Sequence, residues 1–396
     1  MRLDKNPTPE QQLELVRRHA PVLWLHPGEA FHPVRAERML DHSVLYRKHG
    51  DGYRRVPNRP TTLAELAQVG NSKNCHLKMR ELEMGELHVG GDFPSDWGPD
   101  ALARHARTLY GRELTLGVPG PATQDGPHYY ARVSGNVSIR RGQPDDPHLD
   151  YPTLDGHPSD GNYIRVEYHY FFVYNDSWNQ HQGDWDSTVV LYLRKSDDGE
   201  INGDGYLMVH MHHERWACVL PTSNGSICSW VGRWQRGFDR RLGTAYVLDG
   251  HPYIFIARGA HGGYPTPGHT LFGFNPPIIG EVLFNADERR FGRVCIAPPD
   301  LSSAAIRANV QSAGVDDAAL RIGRWSEPTL ITSAPDWFDF KGLWGQPSSI
   351  EGWSGPAAGR LRSGTSRRDL KNTMAKGYAA GLILDPQWHG IQECSG

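Results

Sequence analysis

Between Tyr163 and Tyr174 the chain alternates aromatic and β-branched residues over a dozen positions. No other feature constrains the fold as tightly, because such residues fit a pleated, half-buried strand and lose side-chain freedom in a helix. Further runs of the same kind follow. Ser187 to Leu193 reads as a strand, Ser196-Asp197-Asp198-Gly199 and Asn202-Gly203-Asp204-Gly205 as turns, and Tyr206 to His212 as the returning strand. Tyr253 to Ala257 is a short apolar strand, and Pro21 to Leu25 another, closed by His26-Pro27-Gly28-Glu29. The 44 Gly and 29 Pro among 396 residues favour many turns and short strands. The expected fold is mainly β: a two-sheet β-sandwich decorated with a few helices, in a single large domain over residues 1–396. Strands do not alternate with long helices, which disfavours a parallel α/β fold.

Three helices are expected. Thr8 caps the first, with Pro9 in its first turn, Gln11 completing a capping box and Ala20-Pro21 ending it. The second runs from Pro99 to Tyr110, with Gly111 at its C-terminal cap position, and the third is capped by Asp300 and runs to about Ser312, with Gly314 ending it. Residues 141–161 read as a long loop inside a variable 50–160 insertion. The C-terminal part reads as a Trp- and Gly-rich extension that turns basic between Arg360 and Lys376, most simply a solvated face. Internal repeats are absent.

Lysine plus arginine number 42 and aspartate plus glutamate 45, a net charge of −3, so no global electrostatic argument favours nucleic acid and none is expected as a partner. No apolar run is long enough for a transmembrane segment. The polar start Met1 to Pro7 is not a signal peptide. The five cysteines are scattered, odd in number and never spaced C-x-x-C, which suits reduced thiols. The expected location is cytoplasmic, with export by a non-standard route left open.

The densest chemical constellation is Tyr174 to Asp186. If the segment is extended, Asp184 and Asp186 point to one face and Trp185 to the other, with His181 and Asp176 just upstream. Like charges on one face need a cation or a proton between them. A divalent metal satisfies that need, and so does a polar strand end whose carboxylates cap turns. Mg²⁺ or Ca²⁺ is favoured by the carboxylates, with Mn²⁺, Zn²⁺ or Fe²⁺ as alternatives that accept imidazole. A second cluster, His210-Met211-His212-His213-Glu214, puts His210 and His212 on one strand face, where they could bind metal, exchange protons or simply be hydrogen-bonded. It lacks the helical H-E-x-x-H spacing. A third, Arg258-Gly259-Ala260-His261-Gly262-Gly263-Tyr264, surrounds His261 with small residues that admit close approach; a turn with an incidental histidine explains it equally. No nucleophile elbow, phosphate loop or dinucleotide fingerprint is present.

Taken together these segments resemble two related groups. Ala20-Pro21-Val22 with His26-Pro27-Gly28-Glu29, the aromatic strand Tyr168 to Tyr174, His181 to Asp186, Ala257 to Tyr264 and Gly342-Leu343-Trp344-Gly345 resemble the vacuolar protein sorting-associated family of the "sixty-two" type. Gln180-His181-Gln182-Gly183-Asp184-Trp185-Asp186 and Ala260-His261-Gly262-Gly263-Tyr264 resemble the necrosis- and ethylene-inducing toxin-like family. That second resemblance implies a β-sandwich with a divalent cation held, by position, at Asp176, His181, Asp184 and Asp186. The family's second motif histidine is Gly183 here, and its final glutamate is the shorter Asp186.

The resemblance implies a metal-centred protein that recognises a small polar ligand, a glycan or a lipid headgroup, with a membrane surface as a further partner. Asn175, Trp185, Tyr264, His26 and Glu29 would surround the site. The rival reading is a metal-dependent hydrolase or lyase, with His210, His212 and His261 moving protons in a Trp-lined pocket. A third is a trafficking or scaffold protein with a structural cation.

Overall fold

A computed structural model describes residues 3, 7–26, 29, 31–41, 43–57, 65–66, 75–79, 126–139, 161–175, 181–185, 188–211, 215–220, 225–229, 243–259, 261–264, 267–270, 287–289, 291–331 and 344. The helix expected at 99–110, the basic 360–376 stretch and the expected 141–161 loop, apart from Gly161, which instead opens a strand, lie outside these residues.

The chain is mainly β. Its first strands are β1 (Val22–Leu25), β2 (Ser43–His49), β3 (Gly52–Arg55), β4 (Cys75–Met79) and β5 (Tyr130–Ile139). The aromatic run and its returns follow as β6 (Gly161–His169), β7 (Phe172–Asn175), β8 (His181–Asp184), β9 (Thr188–Lys195) and β10 (Ile201–Met211). Next come β11 (Arg215–Leu220), β12 (Gly225–Ser229), β13 (Gly243–Leu248), β14 (His251–Ile256) and β15 (Gly263–Tyr264). The last are β16 (Gly268–Thr270), β17 (Asp287–Arg289), β18 (Val294–Ala297), β19 (Arg321–Arg324) and β20 (Thr329–Leu330). The helices among the described residues are α1 (Pro9–Arg18), α2 (Ala36–Asp41) and α3 (Ser303–Ser312).

Thirteen strands form one sheet, ordered β19-β18-β1-β14-β13-β12-β11-β10-β9-β6-β5-β20, with β15 on β14. Laid flat, such a ladder would hold its two edges about 50 Å apart at the usual strand spacing. Yet β19 and β20 are joined by only Trp325-Ser326-Glu327-Pro328, which reach at most about 18 Å. The ladder must therefore fold back so that its ends meet. Trp325 makes the joint: it packs on Tyr129 and Tyr170 and donates its indole N–H to Pro21 O at 2.8 Å, just before β1. The core agrees, since Leu23, Leu25, Ile254 and Ile256 from one end join Ile164, Val166, Leu191 and Leu193 from the other in a single apolar cluster. The layers of the sandwich are thus drawn from one continuous ladder. A second cluster lies under α3 and includes Trp24, Phe255 and Ile306.

α1 forms as its sequence dictates: the Thr8 hydroxyl accepts from the Gln11 amide and the Gln11 side chain accepts from the Thr8 amide. It lies along β5 and β20 and buries Leu15 and Val16, while Tyr168 donates its hydroxyl to Val16 O at 3.0 Å. The cap of α3 differs from expectation. Ser302 accepts from the Ala305 amide at 3.0 Å, and Asp300 instead lies 3.7 Å from His251. A serine one residue before the helix outcompetes an aspartate three before it, because only the former reaches the open amides.

The aromatic run is broken where the sequence reads as continuous. β6 belongs to the large sheet, Tyr170 and Phe171 are buried between strands, and β7 pairs only with β8. The chain switches sheets there, and Val34 donates to Phe171 O at 2.9 Å across the gap. The Asn202–Gly205 segment is likewise no turn; it lies within β10 at a register shift between Ile201 and Tyr206, and Ser196–Gly199 alone turns the hairpin.

Candidate functional site

β1 and β14 run parallel, with Leu25 opposite Ile256. Loops leaving the carboxyl ends of neighbouring parallel strands open onto a common crevice. The loop after β1 delivers Glu29, and the turn between β14 and β15 delivers His261. His261 adopts a left-handed backbone conformation, φ 55°, unusual for a residue with a side chain. The turn is held by Ala257, whose carbonyl accepts from the His261 amide at 3.0 Å and whose amide donates to Gly262 O at 2.9 Å.

Asp184 reaches the same point from the β7–β8 hairpin. In that ladder Phe172 stands directly opposite Asp184, so both side chains leave one face. Phe172 stacks on the His261 ring, centroids 3.9 Å apart and planes within 2°. Nδ1 of His261 lies 3.0 Å from Asp184 Oδ2, and Nε2 lies 3.4 Å from Glu29 Oε1. Glu29 also accepts from the Gly259 amide at 2.7 Å and the Phe31 amide at 3.0 Å. Glu29, Asp184 and His261 are all buried.

An imidazole between two carboxylates can donate to both only when doubly protonated. Burial alone would push the His261 pKa down; the Glu29 charge and the hydrogen bonds that the ring donates to Asp184 and Glu29 outweigh it and hold the ring at about 9. Burial likewise works to raise the Glu29 carboxyl, but the His261 charge and hydrogen bond and the two backbone amides bring it below its ordinary value. The result is a fixed imidazolium that ties three distant segments together and sets the orientation of the Asp184 carboxylate. With both ring nitrogens engaged and no exposed edge, His261 acts here as a positioning group.

Aromatic rings support the hairpin from behind. Trp185 packs on Tyr130, Phe171 and Trp344, and Trp344 also touches Phe171. Gly183 makes this packing fit. Its φ is +67°, and a β-carbon there would sit 2.4 Å from Trp344 O and 2.9 Å from Met39 Sδ of α2. Any side chain at position 183 would thus run into the Trp344 backbone.

The residues singled out in the sequence divide clearly. The structure brings Glu29, Asp184 and His261 into direct contact. Trp185 lies in the aromatic support, and His26 is buried just after β1. Tyr264 is buried on β15, opposite Phe255. Asn175 ends β7 in register with His181, which opens β8. β8 ends at Asp184. Asp176, Asp186 and His212 lie outside the described residues; His210 is on β10, opposite Trp216 and Val189. Among the described residues no group of three or more His, Cys, Asp or Glu side chains could hold a metal ion.

Sequence reasoning missed the second face of β6. Ile164, Val166 and Tyr168 enter the core, while Arg165, Glu167 and His169 alternate with them and are also buried. Glu167 lies 3.0 Å from Arg165 and 3.2 Å from His169. Burial opposes its ionisation, but these partners and Arg132 prevail and hold its carboxyl at about 2. The period-two alternation was a visible signal, but it reads as a solvent face when the cover is unknown.

Compared with known proteins, the chain matches no protein-family model, no curated protein and no solved structure.

Proposed function

We propose that this chain binds a divalent cation beside Asp184 and uses it to hold a small polar ligand such as a glycan or a lipid headgroup. The observation that carries the reading is the clamp itself: a buried carboxylate at the end of β8, held at Oδ2 by an imidazolium that Glu29 anchors in turn. Carboxylate ligands need this kind of outer support, because an unsupported side chain loses affinity to its own rotations. The Asp184 carboxylate is the group an ion would engage. His181, Asp176 and Asp186 are the remaining donors in the sequence, a set rich in oxygen that suits Mg²⁺ or Ca²⁺. Bound there, the ion would supply a positive charge that recognises hydroxyl or phosphate oxygens. The chain's own part is to fix Asp184 and to wall the site with Phe172 and the Trp185 cluster.

Calorimetric titration of chelator-stripped protein with Mg²⁺, Ca²⁺, Mn²⁺ and Zn²⁺ tests the first step. Saturable binding of one ion is expected, lost in Asp184→Asn and weakened about 10–100-fold in His261→Asn. Absence of binding by all four metals, or equal binding by Asp184→Asn, refutes the reading. Retention on uncharged glycolipid vesicles that disappears with chelator is the expected second result.

A further inference from the structure

The β2–β3 hairpin displays Arg47, Lys48, Arg54 and Arg55, all exposed, against one acidic residue, Asp51 in its turn. This is a cationic device on a chain whose net charge is −3. Arg47 stands directly opposite Arg54. Lys48 stands opposite Tyr53, which at 41% exposure is the one exposed large hydrophobic side chain among the described residues. Charge on an edge strand guards against unwanted strand pairing. That role alone does not call for an exposed tyrosine among the cations.

We infer that this hairpin docks on an anionic lipid membrane surface. Cation and aromatic side by side match a bilayer interface, where basic groups meet headgroup charge and a tyrosine ring sits at headgroup level. The geometry favours a plane over a polynucleotide. Lys48, Tyr53 and Arg55 share one face of the ribbon, so two cations and an aromatic ring can meet a flat surface together. A single strand of nucleic acid instead needs stacking platforms on one face. The Tyr46 ring is already stacked on His76, planes within 4°, and Tyr53 meets the same His76 edge to face at 4.5 Å. The hairpin also starts beside the site: one residue separates α2 from β2, and Met39 of α2 lies against Gly183. This inference rests on the hairpin alone and does not require the cation.

Vesicle sedimentation of the full chain in EDTA tests it, with phosphatidylcholine alone or mixed with phosphatidylserine. Binding is expected only to the mixed vesicles, and it weakens as salt is raised. The double variant Lys48→Gln, Arg54→Gln lowers partitioning by roughly tenfold or more, each cation near the surface counting about fivefold. Tyr53→Ser lowers it further, and as all three positions are exposed, unchanged circular dichroism is expected. Absence of binding to the mixed vesicles, equal binding by the double variant, or binding to single-stranded RNA in place of vesicles overturns the inference. Chelator keeps the two proposals separate: failure here leaves the ion reading standing, and failed metal titration leaves this one standing.

Discussion

Replacing His261 by asparagine isolates the buried clamp with little backbone cost, because asparagine tolerates the left-handed conformation that position 261 requires. The change leaves Glu29 and Asp184 buried without their imidazolium. Breaking such a pair costs about 3–5 kcal/mol near neutral pH. The pH dependence is the sharper test. His261 titrates at about 9 in the folded chain, against 6.5 for the free side chain. A pKa raised on folding gives stability that is fully present below the unfolded value and lost as pH rises through the folded one. The shift corresponds to about 3 kcal/mol. Glu29 shifts the other way, so its contribution holds above the ordinary carboxylate range and fades as acid protonates it. The assay is urea unfolding of wild type and His261→Asn from about pH 6 to about pH 10, read as the gap between midpoints. The gap should narrow by about 3 kcal/mol on the alkaline side, while titrations common to both proteins cancel. A gap that stays constant across that range would refute the charged clamp.

Other consequences are equally direct. Gly183→Ala forces a β-carbon onto the Trp344 carbonyl at a positive φ, and a loss of at least about 2 kcal/mol is expected in thermal unfolding, against almost none for Gly50→Ala's open surroundings beyond its own backbone strain. Trp325→Phe removes the hydrogen bond to Pro21 O and part of a buried ring, and should cost at least about 2 kcal/mol in the same assay.

What the sequence disclosed follows the range of the interactions. α1 was legible to the residue because its capping box closes within three positions. The β character of the middle was legible because alternation is local. The clamp was visible only as parts. Glu29, Asp184 and His261 each stood out by type and setting, but Glu29 and His261 are 232 residues apart and Asp184 and His261 are 77 apart. No periodicity encodes contacts of that span. The role of Gly183 was hidden for the same reason, since the neighbour that forbids a side chain there is Trp344, far along the chain. The break after His169 was missed because Tyr170 and Phe171 continue the aromatic pattern while the backbone changes partners.

The four-residue joint between the two ends of the ladder bears on how the chain is made. Residues 130–131 on β5 find their partners at 329–330, nearly two hundred positions later. During synthesis that stretch can pair with β6 on one side, but its other edge must wait until almost the whole sheet has been translated. Topology of this kind slows folding, because distant ends must meet before the contacts between them can hold. A ribosome pause before Trp325 would leave the seam of the sandwich open, and truncations just short of it should yield chains that depend on chaperones to stay unaggregated.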